Sequence, residues 1–173
     1  VSQSLLGLNI KCASCHNSFI SNWKLEDAYA FATIFADSAL EINRCDKPTG
    51  KYIRPRLLWA KLGNIDSNAK RSEKLAQLAT QLTKPENGRL YRTLVNRIWS
   101  QLLGRGLVEP VDVMDNLPWN QDLLDWLSYN FQASGSDMKE LIFLICTSRT
   151  YQLPSVALKG QEELTAKNFQ FKG

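Results

Sequence analysis

A chain of 173 residues that is 44% hydrophobic and 22% charged, with 9 glycines and 6 prolines, has enough apolar residues to bury a core, which excludes intrinsic disorder and collagen-like repeats. Its formal net charge of +4 is spread as mixed signs without a block of like charge, so no nucleic-acid partner is expected. Apolar runs such as Leu141–Cys146 fall far short of the roughly 20 residues a membrane-spanning helix needs, so no membrane span is expected either. The chain opens on Val1-Ser-Gln-Ser without a Met, a charged n-region or an apolar h-region, and it ends on the aromatic-containing stretch Asn168–Gly173. We read both ends as cuts in a longer protein from which any targeting sequence has been removed.

The first element in chain order is also the most informative. Cys12-Ala-Ser-Cys15-His16 is C-x-x-C-H, the attachment signature for c-type haem. Two thiols at this spacing can add across two vinyl groups, and the adjoining imidazole is placed to ligate the iron from one side. His16 is the single histidine of the chain. Two other readings stay open at this point. The pair could be a redox dithiol, although no βαβ pattern surrounds it. Alternatively Cys12, Cys15, His16 and the downstream Cys45 could form a tetrahedral structural metal site, although the usual second ligand pair is missing. Cys146 lies in an apolar helical run and reads as a buried free thiol.

After the motif, Leu25, Ala28, Tyr29, Ala32 and Phe35 recur at helical spacing with acidic residues in the first turn, which predicts a helix over 25–37. Residues 43–50 carry turn chemistry, and the segment through Arg54-Pro55 and Gly63-Asn64 reads as extended loop. A second helix is predicted over 68–82, ended by Lys84-Pro85 and Asn87-Gly88. A core helix follows over 89–103, with Leu90, Leu94, Ile98 and Leu102 on one stripe, and it stops at Gly104. Another spans 120–133. Asp137-Met-Lys-Glu140 then has the form of a capping box ahead of the apolar run 141–146. Strand signals are weak throughout. The expected fold is mostly α, an irregular helical bundle with long connecting loops and little or no strand. Its expected segments are 1–45 around the cysteine motif, a loop and connecting helix over 46–88, a three-helix region over 89–157, and an exit segment over 158–173.

Five strings carry a family likeness. Gly7-Leu-Asn-Ile-Lys-Cys-Ala-Ser-Cys-His16, followed by Trp23 and Glu26-Asp-Ala-Tyr29, resembles the end of the planctomycete-type cytochrome c domain. Leu94-Val-Asn-Arg-Ile-Trp99, Gly104-Arg-Gly-Leu-Val-Glu-Pro-Val-Asp112, Leu123-Leu-Asp-Trp-Leu127 and Thr147-Ser-Arg-Thr-Tyr-Gln152 resemble the surface domain usually fused behind it. The resemblance implies a secreted bacterial protein, periplasmic or at the cell surface, with one covalent haem c held by Cys12, Cys15 and His16. It further implies large multidomain chains associated with polysaccharide breakdown. The function expected is single-electron transfer rather than catalysis, in the service of extracytoplasmic oxidative carbohydrate metabolism. The expected partner is a redox protein or another domain of the same chain, with carbohydrate as a further expected ligand. The alternative is a non-enzymatic helical surface or binding module, with a structural Cys/His metal site or no cofactor.

Haem would leave a sixth iron position to fill. With no second histidine, the thioether candidates are Met114, in the loop 112–118, and Met138, in the first turn of a helix; Met114 is the choice, against the reading that it only packs a core. Arg89, Arg92, Arg97 and Arg105 are candidates for haem propionates, against a solvated or ion-paired helix face. Trp99 and Trp126 fall on apolar helix faces and read as core, whereas Trp119, between Pro118 and Asn120, reads as exposed and suited to stacking on a sugar. Asp112 and Asp115 form a carboxylate pair that would serve hydrolysis, against the commoner role of capping.

Overall fold

The computed structural model describes residues 1–154. The expected exit segment 158–173 therefore lies outside the described residues, as do the last three residues of the three-helix region. The chain divides into two compact units, with the boundary between Leu90 and Tyr91.

The first unit begins with the short helix α1, Ser2–Leu6, closed by Gly7 in the left-handed conformation at φ 57°. A 3-10 turn at Cys12–Ser14 carries the cysteine motif, and α2 follows at Leu25–Thr33. The start of α2 is fixed by Asp27, whose carboxylate accepts from the backbone N–H of Lys24 at 3.0 Å. Its end comes earlier than the periodicity predicts, because Ile34 and Phe35 leave the helix through bonds from their N–H groups to Phe31 O and Ala32 O.

Residues 40–53, read from sequence as turn and extended loop, form an antiparallel hairpin of β1, Leu40–Arg44, and β2, Lys47–Ile53. Leu40 pairs with Ile53 and Arg44 with Lys47, with an irregularity between Glu41 and Asn43. Nearly all of β2 is exposed, so it shows none of the apolar alternation that betrays a half-buried strand. The helix α3 spans Arg71–Leu82, its first turn closed by Glu73, whose carboxylate accepts from Lys70 N at 3.1 Å. Leu6, Leu8, Phe31, Ile34, Leu57, Ile65, Leu78 and Leu82 form the core of this unit.

An unannounced feature of that core is Lys74. It is only 2% exposed, and its ammonium donates to Thr33 O at 3.2 Å and Ala36 O at 2.6 Å. A cation from α3 thus closes the carbonyl end of α2, where the helix dipole favours positive charge.

The helix α4, Gly88–Leu103, spans the boundary between the units. In the second unit α5 covers Gln121–Ala133, with Asn120 Oδ1 accepting from Leu123 N at 3.0 Å, and α6 covers Met138–Cys146. Asp137 caps α6 as the sequence predicts, accepting from Lys139 N at 2.8 Å and Glu140 N at 3.3 Å. Tyr91, Val95, Trp99, Leu107, Val108, Met114, Leu124, Leu127, Phe131, Leu141 and Ile145 form its core. The expected mostly α class holds: among the described residues there are six α-helices and one two-stranded sheet.

Candidate functional site

The cysteine motif is a single tight turn whose small residue faces inward. Ala13 is fully buried, while Cys12 and Cys15 are exposed free thiols. The N–H groups of Cys15 and His16 both donate to Cys12 O, at 3.3 and 3.4 Å, which closes the turn and brings the three motif side chains onto one short segment.

His16 is oriented by the residue that follows it. Its Nδ1 lies 2.7 Å from the carbonyl of Asn17. A carbonyl only accepts, so Nδ1 carries the proton and Nε2 keeps its lone pair for a metal. The Asn17 side chain in turn accepts from Leu25 N at 3.0 Å, tying the motif to the first turn of α2. Ser18 N donates to Trp23 O at 2.9 Å and closes the intervening loop. The tip of that loop carries Phe19 and Ile20, which are 89% and 87% exposed, and the Phe19 ring stands 4.7 Å from the His16 ring. On the other flank lies a groove of about 480 Å³ whose walls include Leu8, Ile10, Ser14, Phe31 and Phe35.

This donor set fits a covalently attached haem. Two outward thiols, an imidazole with a free Nε2 and apolar surface on both flanks are what a porphyrin edge and face require. Sequence reasoning found the three motif residues but missed Asn17, because its role depends on where the loop returns to α2. Cys45, weighed from the sequence as a fourth metal ligand, does lie beside the motif. That residue stands at the tip of the β1–β2 hairpin with φ 53°, and its N–H donates to Cys15 O at 2.9 Å. Among the described residues no group of three or more His, Cys, Asp and Glu side chains is gathered in a way that could hold a metal ion. The tetrahedral reading of Cys12, Cys15, His16 and Cys45 therefore has no preformed ligand cluster behind it.

Most of the remaining candidates are held by packing, ion pairs or hydrogen bonds. Met114 is 7% exposed and belongs to the core of the second unit. Arg92 pairs with Asp125 and Arg97 with Asp112, so both fit the ion-paired helix face weighed against a propionate role. Arg89 is not on a solvated face as the helical wheel suggests. Its guanidinium donates to Leu6 O at 2.7 Å and lies 5.4 Å from the Trp59 ring, closing the carbonyl end of α1. With Asp112 paired to Arg97, the Asp112/Asp115 couple is not two free carboxylates.

Trp119 is half-buried, with its indole N–H donating to Gly106 O at 3.1 Å, so the tryptophan singled out for sugar contact is fastened to the loop after α4. Trp99 is buried as expected, whereas Trp126, also expected in the core, is 52% exposed. Trp126 lines a groove with Asn130 of α5 and with Glu140, Phe143 and Leu144 of α6. Cys146 is half-buried rather than fully buried.

Two of the strings that carry the family likeness, Leu94–Trp99 and Gly104–Asp112, are bound to each other. Asn96 Nδ2 donates to Val108 O and Val111 O, Asn96 Oδ1 accepts from Val108 N, Arg97 pairs with Asp112, and Gly106 fits where a Cβ would meet Val108 O at 2.5 Å. These contacts lock the loop from Gly104 to Asp112 onto α4.

The two family models that match this chain describe planctomycete-type domains. The chain belongs to the PSD1 family, described as proteins of unknown function (DUF1553), which matches residues 74–172. A second match, PSCyt2, also described as of unknown function (DUF1549), covers residues 1–39 and includes Cys12, Cys15 and His16. Comparison with curated proteins and with solved structures returned no match. Among the described residues no helix is long and apolar enough to cross a membrane.

Proposed function

We propose that this chain is a c-type haem-binding module that passes single electrons, extracytoplasmic in location, with a redox protein or a further domain of the same polypeptide as partner. The observation that carries the reading is the turn itself: two exposed thiols at C-x-x-C spacing beside an imidazole whose Nδ1 proton is committed to Asn17 O at 2.7 Å. A thiol pair serving only to pack would be buried. A histidine serving only the surface would not be held in one tautomer.

Cys12 and Cys15 would hold the macrocycle through thioethers and His16 Nε2 would ligate the iron. When bound, such a group supplies a one-electron couple whose potential is set by axial ligand and burial. The chain's own residues do the rest. Asn17 orients the imidazole and anchors it to α2, and the Phe19 ring stands beside the His16 ring. Arg89, already committed to Leu6 O, holds α1 in place beside the motif's approach. Met114 is assigned to packing in the second unit.

The test is a pair of variants. Cys15→Ser should permit attachment through one thioether only and shift the reduced α-band to that of a singly attached haem. His16→Ala should leave both linkages but change the ligation-sensitive bands. If both variants give the parent's spectrum, the assignment fails.

A further inference from the structure

The third cysteine of this unit stands where the haem reading does not need it. Cys45 occupies the first position of the two-residue turn between β1 and β2, in a left-handed conformation that glycine or asparagine adopts more cheaply. Its N–H donates to Cys15 O at 2.9 Å, and its own sulfur turns back over that same carbonyl at 3.9 Å. This one backbone bond sets the hairpin tip directly beside the cysteine turn, with the Cys45 sulfur over the Cys15 carbonyl. A disulfide needs such neighbouring backbones, its Cα atoms usually standing about 4.4–6.8 Å apart. Both thiols are exposed, so an oxidant can reach them.

We propose that Cys45 is the redox partner of Cys15. Under oxidising conditions the two form a disulfide that pins the hairpin tip to the C-x-x-C-H turn and withholds Cys15 from thioether formation. The Sγ–Sγ bond forms as both S–H bonds break. Two protons and two electrons pass to a disulfide oxidant such as oxidised glutathione, whose own S–S bond breaks to give two thiols. The partners are 30 residues apart in sequence, so it is the folded hairpin that brings them together for closure. The disulfide itself is independent of the haem reading; its role in withholding Cys15 rests on it.

The experiment begins with the full 173-residue apo chain equilibrated in a glutathione redox buffer, alkylated and digested with trypsin. In the parent and in Cys12→Ser, the peptide Cys12–Lys24 should be joined to Cys45–Lys51. In Cys15→Ser and Cys45→Asn it should not, while Cys45→Asn, which accepts the left-handed turn, keeps the parent's circular dichroism. Closure of Cys12–Cys15 alone, two free peptides, or a link that survives Cys15→Ser would overturn the pairing. Under oxidising expression with a c-type maturation system, Cys45→Asn should raise the haem-loaded fraction several-fold over the parent, and equal loading would overturn the withholding role. If the mapped link appears but no variant ever carries haem, the haem reading has failed and the disulfide stands.

Discussion

The Asn96 side chain grips Val108 by both of its backbone groups, with Nδ2 donating to the carbonyl at 3.0 Å and Oδ1 accepting from the N–H at 2.8 Å. A fully buried amide so placed acts as a strand neighbour would, and it fixes the loop that follows α4. Asn96→Ala leaves the Val108 N–H and carbonyl in the interior without partners. Each such loss costs about 1–3 kcal/mol, so the variant should lose roughly 2–4 kcal/mol of stability. Urea unfolding followed at 222 nm checks this, and a midpoint equal to the parent's would remove Asn96 from its organising role.

Gly106→Ala probes the same loop by steric means. The added Cβ would stand 2.5 Å from Val108 O and 3.0 Å from Asn96 Oδ1, and neither atom can retreat without breaking a bond that holds the loop. A loss of about 2 kcal/mol or more is expected, typical of overpacking against a rigid neighbour. The readout is the thermal midpoint, with Gly50→Ala as the comparison for a glycine that meets nothing within 4 Å and differs only in backbone strain at φ 71°.

Lys74→Met keeps the alkyl stem and removes the ammonium. The carbonyls of Thr33 and Ala36 then lose a charged donor in a place where Lys74 itself is 2% exposed. Hydrogen bonds to charged groups contribute about 1.5–3 kcal/mol each, partly offset by no longer burying the cation, so a net loss of about 2 kcal/mol is expected. Hydrogen exchange of the amides at the end of α2 should accelerate with it. A variant as stable as the parent, with exchange unchanged, would mean the cation contributes nothing there.

Two tryptophans on helices of the second unit should behave oppositely. Trp99 is 5% exposed and Trp126 52% exposed. Trp99→Ala should cost about 3–5 kcal/mol through the cavity it leaves, whereas Trp126→Ala should stay within about 0.5 kcal/mol of the parent. Equal losses would contradict the burial described for α5.

These residues also show what the sequence reveals and what it hides. The stripe Leu90, Leu94, Ile98 and Leu102 and the cap at Asp137 are local signals, set within one or two helical turns, and the helices they predict are present. The hairpin over 40–53 is hidden because β2 is largely exposed and contains Pro48 and Gly50, so no alternation marks it. Trp126 misleads because a helical wheel gives direction without saying whether anything covers that face. Lys74 misleads in the opposite sense, since its burial depends on carbonyls released 38 and 41 positions earlier in the chain. At the site, Cys12, Cys15 and His16 are legible because they are contiguous. Asn17's link to Leu25 and Cys45's approach to Cys15 exist only once α2 and the hairpin have formed.

The central claim concerns covalent haem on Cys12 and Cys15, and intact mass together with the pyridine haemochrome spectrum tests it most directly, on this chain made in a periplasm that contains c-type maturation machinery. The account predicts a mass increased by one haem and a thioether-type spectrum that survives acid–acetone extraction. An apo mass on a chain whose circular dichroism is fully helical would contradict it.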